Sequence, residues 1–170
     1  GIVKSHGGHI TCRSRPGQGA VFKIHLPALE AREARSESPP DVPPQGGAEG
    51  ILIVDDENDI RNFASQILAK FGYKVLTAGS GEEALEIYAA ARDEIDMVLL
   101  DIGMPGMGGA KCFAEIKKIN PEARVLIASG YSVSGQVKKV LQDGAAGYVG
   151  KPYLLADLLA RIRSVLDGRT

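Results

Sequence analysis

The sequence predicts an α/β domain over residues 50–170, with one parallel sheet and helices on both of its faces. Two observations support this prediction. Short apolar runs alternate with longer amphipathic stretches, and the unit of strand followed by helix occurs five times in succession. This alternation is typical of parallel sheets whose strands are joined by helical crossovers. Because such crossovers are right-handed, few topologies remain for the sheet.

The five apolar runs are short and mostly β-branched or leucine-rich, as expected for strands that are buried on both faces. The predicted strands are 51–54, 73–77, 97–100, 125–128 and 147–149. Apolar residues recur at helical spacing between and after these runs. The predicted helices are 60–71, 80–91, 109–119, 133–142 and 155–166. Gly72 is expected to end the first helix, and Ser80 with Glu83 forms a capping-box pattern at the start of the second.

The composition divides the chain into three segments. Residues 1–27 are rich in glycine and contain short apolar alternations. Residues 28–49 contain four prolines, several charges and almost no large apolar groups, so we predict a linker that forms no core. Only residues 50–170 have the pattern of a folded domain. Since the sequence does not begin with methionine, we expect it to be a piece of a longer protein.

Charge and hydropathy exclude two classes of partner. The formal net charge is -1, which provides no electrostatic footprint for nucleic acid. No continuous apolar run is long enough to span a bilayer, so this segment is not expected to contact a membrane. Cys12 and Cys112 are far apart in the sequence, which favours a reducing cytoplasm over a disulfide framework.

Polar side chains follow four of the predicted strands. Asp55 and Asp56 follow the first, Asp101 the third, Ser129 the fourth and Lys151 the fifth. Each feature alone is common in turns and loops. The carboxyl ends of parallel strands meet at one edge of a sheet, which is where ligands bind in open α/β folds. Their joint placement therefore predicts a functional site at this edge.

The chemistry of this group favours phosphoryl transfer assisted by a metal ion. Three carboxylates with one ammonium leave the cluster negative, and like charges so close together oppose ionisation. A hard divalent cation relieves that repulsion, and an all-oxygen ligand set suits Mg²⁺. One carboxylate can then act as the nucleophile. Lys151 and Ser129 can donate hydrogen bonds to phosphoryl oxygens.

Four motifs give the segment a family resemblance. They are ILIVDDE at 51–57, LLDIGMPGMGG at 99–109, ASGYS at 128–132 and GYVGKPY at 147–153. With these motifs, residues 50–170 resemble the receiver domain of two-component signalling proteins. The resemblance implies a flavodoxin-like (βα)5 doubly wound fold with strand order 2-1-3-4-5.

The resemblance also implies roles for individual residues. Asp101 would be the phosphoacceptor, and Asp55, Asp56 and the backbone carbonyl of Gly103 would hold Mg²⁺ with it, Mn²⁺ being an alternative. Ser129 and Lys151 would contact the phosphoryl group. Two further residues are assigned in the same way: Tyr148 as the aromatic switch residue that turns inward when Ser129 moves, and Pro152 as the second residue of a cis Lys–Pro bond.

Residues 1–27 resemble the last segment of a histidine-kinase ATPase domain, where a helix end leads into two antiparallel strands. Gly17, Gly19, Phe22 and the Leu26-Pro27 pair match that ending. The parent would then be a hybrid histidine kinase, an ATP-dependent protein-histidine phosphotransferase that can be membrane-anchored. The motifs for Mg·ATP, adenine and the lid are absent from this sequence, as is the helix with the phosphoacceptor histidine. We therefore predict that this chain binds no ATP, and whether it counts as an enzyme stays open.

We expect the chain to accept a phosphoryl group from the phosphohistidine of a kinase or of a histidine phosphotransfer protein. A receiver fold that docks without phosphoryl turnover is the alternative. A phosphohydrolase with an aspartyl nucleophile is a second rival, but it usually has an aspartate two residues after the nucleophile, where this chain has Gly103. A weak homodimer is a further expectation. A separate hypothesis is that the alternating segments in residues 1–27 add to an exposed sheet edge on this or a neighbouring molecule.

Overall fold

The structure is a computed structural model that describes residues 2–5, 7–27, 46–130 and 135–168. The described residues belong to two compact units. We call residues 2–27 the N-terminal unit and residues 46–168 the C-terminal unit. Most of the predicted linker, residues 28–45, lies outside the described residues. No helix in the described ranges is both long and apolar enough to cross a membrane.

The N-terminal unit is a short helix followed by an antiparallel hairpin. Helix α1 spans Ile2–Ser5, and strands β1 (His9–Arg15) and β2 (Gly19–His25) pair from His9 with His25 to Arg15 with Gly19. The expected helix end and two antiparallel strands are therefore present. The two strands pair with each other as a two-stranded sheet.

The C-terminal unit contains a five-stranded parallel sheet. Its strands are β3 (Gly50–Val54), β4 (Lys74–Ala78), β5 (Met97–Asp101), β6 (Val125–Ser129) and β7 (Gly147–Gly150). Their spatial order is β4-β3-β5-β6-β7, and every neighbouring pair is parallel. This is the predicted order 2-1-3-4-5 of a flavodoxin-like sheet.

Within the described residues of the C-terminal unit, five α-helices accompany the sheet. They are α2 (Asn58–Lys70), α3 (Gly81–Ala90), α4 (Gly109–Ile119), α5 (Gly135–Gln142) and α6 (Leu155–Leu166), with a 3₁₀ turn at Arg92–Glu94. The bounds of α4 match the predicted helix. The predicted start of α5 at residue 133 lies outside the described residues. At the start of α3, the Ser80 side chain accepts a hydrogen bond from the Glu83 amide at 3.1 Å, as the capping pattern predicts.

Strand β4 begins one residue later than predicted, and the end of α2 explains why. Gly72 has a φ of +93°, a conformation that favours glycine, and its amide donates to the Ala69 carbonyl. The Tyr73 amide donates to the Leu68 carbonyl at 3.2 Å. Tyr73 therefore belongs to the helix ending, and the ladder with β3 begins at Lys74.

Apolar residues cover both faces of the sheet. One cluster joins Val54, Leu100 and Ile127 to α3, α4 and α5, and the other joins Ile53, Leu99 and α2 to α6. Every residue of β3, β5 and β6 is buried. With both faces occupied by packing, the edge at the carboxyl ends of the strands is where the sheet places its buried polar side chains.

The chain enters this unit through a packed segment at residues 46–49. The Gly47 amide donates to the Phe71 carbonyl at 3.0 Å, and a Cβ on Gly46 would lie 1.9 Å from the same oxygen. Arg163 on α6 donates to Glu49 at 2.7 Å and also to Asp167. Although the composition of residues 46–49 is that of a linker, these residues contact the folded unit.

Candidate functional site

The carboxyl ends of two strands bring the predicted acidic residues together. Asp55 and Asp56 follow β3, and Asp101 is the last residue of β5. One carboxylate oxygen from each of the three lies within 4.8 Å of the others. Asp55 and Asp101 are 1% and 6% exposed, whereas Asp56 is exposed to solvent. The predicted cluster is therefore present as one partly buried group.

Lys151 lies between the two buried aspartates. Its Nζ is 2.6 Å from Asp55 Oδ2 and 2.8 Å from Asp101 Oδ2, with only 9% of the lysine side chain exposed. Burial alone would lower the pKa of Lys151, but the carboxylates of Asp101 and Asp55 outweigh burial and raise it. The ammonium therefore stays charged at neutral pH. The peptide bond between Lys151 and Pro152 is cis, as expected.

Each buried aspartate uses its two oxygens differently. Asp55 Oδ1 accepts a hydrogen bond from the Glu57 amide, and Asp101 Oδ1 accepts one from the Gly103 amide, both at 3.0 Å. Each Oδ2 atom faces Lys151. The backbone thus fixes the orientation of both carboxylates, and Gly103 lies directly beside Asp101.

The donor set fits a hard divalent cation. It consists of carboxylate oxygens, and three negative charges face one ammonium. Asp55 Oδ2 is buried and has no hydrogen-bond partner among the described residues, although the Lys151 ammonium is close by. A buried carboxylate oxygen without a hydrogen bond is costly unless a cation satisfies it. These residues therefore suit Mg²⁺.

Ser129 and Tyr148 share one face of the sheet near this edge. Ser129 is 6% exposed and pairs with Gly150, and Ile127 pairs with Tyr148. Residues two apart on a strand lie on the same face, as do the paired residues of adjacent strands. The half-buried Tyr148 packs against the core, with its hydroxyl 3.5 Å from where a Cβ on Gly150 would lie. The tyrosine therefore extends along β7 toward the position that pairs with Ser129.

Two residues near the site were not singled out from the sequence. Tyr153 packs against the core beside the acidic cluster, and its pKa is raised by burial and then by the charges of Asp55 and Asp101. Arg61 on α2 donates a hydrogen bond to the Asp55 carbonyl. The motif that contains Lys151 extends to Tyr153, which was a usable signal. For Arg61 the only signal was its position one helical turn after the acidic residues.

The sheet order and the acidic edge define the class: an α/β domain of the receiver type. Residues 51–163 match the family described as the response regulator receiver domain. The chain belongs to this family, and its function is in two-component signal transduction.

Three known proteins illustrate the similarity. Sensor kinase CckA of Brucella abortus is 33% identical over 98% of this chain, which spans 18% of that kinase. Chemotaxis protein CheY of Treponema pallidum is 36% identical over 86% of this chain and 99% of its own length. A chain from the CheX–CheY–BeF3–Mg²⁺ complex of Borrelia burgdorferi is 37% identical and has a TM-score of 0.65. That match covers 69% of this chain and 88% of the other. Receivers of this kind interact with phosphodonor kinases or phosphotransfer proteins.

Proposed function

We propose that this receiver accepts a phosphoryl group from a phosphohistidine onto Asp101, with Mg²⁺ as the required cation. The observation that carries the proposal is the position of Asp101. Its carboxylate is buried, 2.8 Å from the Lys151 ammonium and within 4.8 Å of two further carboxylates. The Borrelia complex is described as containing CheY, BeF3 and Mg²⁺, which supports the choice of cation.

In the reaction, an oxygen of Asp101 attacks phosphorus, the bond from phosphorus to the histidine nitrogen breaks, and the imidazole leaves with that electron pair. Asp55, Asp56, Asp101 and the carbonyl of Gly103 would hold the cation. When bound, Mg²⁺ supplies positive charge that offsets the charge on the phosphoryl oxygens. The Lys151 ammonium already donates a hydrogen bond to Asp101, and after transfer it would contact an oxygen of the phosphoryl group.

Phosphorylation would act on the shape of the domain through Ser129 and Tyr148. The added group brings charge and strong acceptor oxygens to the end of β5. Ser129 would donate to one of these oxygens and leave its former place. Since Tyr148 lies along the same face of the sheet, its ring could then turn inward. The surface of α5, β7 and α6 would change shape, which is a local charge event acting on a bistable element.

The N-terminal unit supports an origin in a hybrid histidine kinase. The match to sensor kinase CckA covers 98% of the chain, including the helix and hairpin that resemble the end of an ATPase domain. Within such a kinase, the receiver would pass its phosphoryl group to a histidine phosphotransfer protein or regulate its own kinase. We propose the cytoplasm as the compartment.

Mass spectrometry tests the proposal. The chain is incubated with a small phosphodonor and Mg²⁺, and one phosphoryl adduct is expected. Asp101→Asn should abolish the adduct, because the amide is a poor nucleophile. Asp93→Asn is the matched control, since Asp93 is an exposed aspartate in the 3₁₀ turn before β5, away from the carboxyl edge. Chelation of Mg²⁺ should prevent formation of the adduct in the unaltered chain.

Other outcomes would favour the rivals. A chain that forms no adduct with any donor would be a docking module with a receiver fold. Rapid turnover of unrelated phosphoesters would favour the phosphohydrolase, although Gly103 lies where such enzymes usually have a second aspartate.

A further inference from the structure

Arg61 connects the start of α2 to the turn that carries the acidic pair. Its Nη1 donates to the carbonyl oxygen of Asp55, and its Nη2 donates to the side chain of Asn58. The Arg61 amide also donates to the Glu57 carbonyl at 3.0 Å, within the first turn of the helix. The guanidinium is therefore held by two acceptors on either side of the acidic turn.

The turn it holds determines where Asp56 lies. Asp55 is fixed by its own contacts, because its Oδ1 accepts from the Glu57 amide and its amide donates to the Ala78 carbonyl. Asp56 is exposed, and none of the hydrogen bonds or ion pairs found among the described residues involves its carboxylate. Its position within the acidic cluster thus depends on the backbone of the turn.

Arg61 also lies against the loop between β4 and α3. A Cβ on Gly79 would lie 3.5 Å from both terminal nitrogens of Arg61 and 3.5 Å from Glu83 Oε2. The Gly79 amide donates to that same Glu83 oxygen at 2.6 Å. The guanidinium and the Glu83 carboxylate therefore both lie near Gly79, which places Arg61 beside a second loop at the carboxyl edge of the sheet.

We propose that Arg61 is a positioning residue for the acidic pair, and that it strengthens cation binding by fixing the Asp55–Asp56 turn. This inference rests on the proposed function of the site. Charge and geometry have opposite effects here. A positive charge next to a cation site opposes cation binding by Coulomb repulsion. If Arg61 acted only through its charge, its removal would strengthen Mg²⁺ binding. If it acts by positioning the turn, its removal weakens binding.

Calorimetric titration of the full chain with Mg²⁺ separates the two effects. Arg61→Gln should raise the dissociation constant about tenfold, the size expected when a group that orients metal ligands is lost. Arg61→Lys keeps the charge but lacks the planar fork, so it should raise the constant about threefold. Arg124→Gln, an exposed residue before β6, is the matched control and should stay within about twofold of the parent.

A parent-like or smaller dissociation constant for Arg61→Gln would overturn the inference. Asn58→Ala removes one hydrogen-bond acceptor of the Arg61 guanidinium but keeps the positive charge of Arg61. It provides a second test if Arg61→Gln folds poorly. It should raise the Mg²⁺ dissociation constant about threefold, and no change would also count against the positioning role. Failure of the parent chain itself to bind Mg²⁺ or to form the Asp101 adduct would overturn the proposed function as well.

Discussion

The hairpin of the N-terminal unit and the sheet of the C-terminal unit differ in the solvent exposure of their strands. All residues of β1 and β2 are exposed, whereas all residues of β3, β5 and β6 are buried. A two-stranded sheet without a covering layer cannot bury either face, while five strands with helices on both sides form their own core. All the site residues come from the unit that forms its own core.

The register of the hairpin nevertheless gives it an apolar and a polar face. Ile10 pairs with Ile24 and Cys12 with Phe22 on one face. Positions such as Thr11, which pairs with Lys23, form the other face. The isoleucines and Phe22 are between 51% and 65% exposed. This alternation is typical of a strand pair that covers a second layer, which agrees with the proposed origin in a larger kinase domain.

The largest contrast between the two sheets should appear in their response to the loss of apolar volume. Leu99 on β5 is 1% exposed, and Leu99→Ala should lower the free energy of unfolding by about 3–4 kcal/mol, because it leaves a cavity in the core. Ile24→Ala, at a position that is 56% exposed in β2, should leave the same transition unchanged. Urea unfolding followed by far-ultraviolet circular dichroism provides both values. Similar losses for the two variants would show that the hairpin is packed in solution.

The loss of the buried Lys151 ammonium should have the next largest effect on the free energy of unfolding. Lys151→Met leaves the carboxylates of Asp55 and Asp101 facing each other without the Lys151 ammonium. Breaking such a buried ion pair should lower the free energy of unfolding by about 3 kcal/mol at neutral pH without Mg²⁺. The matched variant Lys118→Met removes an ion pair whose lysine is 70% exposed, so it should cost less than about 0.5 kcal/mol. The same urea experiment measures both, and added Mg²⁺ should restore part of the loss in Lys151→Met.

The contribution of Lys151 to the free energy of unfolding should depend on pH in a defined direction. Because the pKa of Lys151 is raised on folding, the unfolded chain releases this proton first as the pH increases. The stabilising contribution of Lys151 is therefore complete below the ordinary lysine pKa and is lost as the pH rises through the raised value. The difference in stability between the parent and Lys151→Met should stay constant from neutral pH to about pH 10 and shrink above it. Shrinkage already near neutral pH would contradict the raised pKa.

A smaller effect is expected where the chain enters the C-terminal unit. Glu49 and Arg163 form an ion pair with side chains that are 30% and 19% exposed. A double-mutant cycle with Glu49→Gln and Arg163→Gln should give a coupling of about 0.5–1 kcal/mol, reduced by solvent screening. Urea midpoints of the parent, the two single variants and the double variant provide the cycle. A coupling of zero would mean that residues 46–49 are not held in solution.

The smallest effect is expected at Phe22, in the middle of the apolar face of the hairpin. Phe22 is 65% exposed, so Phe22→Ser removes little buried surface and should leave the urea midpoint of the C-terminal unit unchanged. A measurable shift would show that this face is covered by part of the same molecule.

The sequence predicted those features of the site that depend on strand periodicity. Asp55, Asp101 and Lys151 follow apolar runs, and the edge of a parallel sheet brings such residues together whatever their rotamers. The contacts of Arg61 could not be predicted in this way, because they depend on how a long side chain turns back across its own helix. The packing of Gly46 also depends on a distant partner, the carbonyl of Phe71, which no local pattern indicates.

The attachment point of the C-terminal unit has a consequence for encounter rates. Residues 46–49 lead into the amino end of β3, and Asp55 follows its carboxyl end. Five extended residues, about 17 Å, therefore separate this entry point from the acidic cluster. For a phosphodonor on the same polypeptide, the length of the preceding segment would set the effective concentration of donor at the site. A donor supplied from another molecule would react at a rate independent of that length.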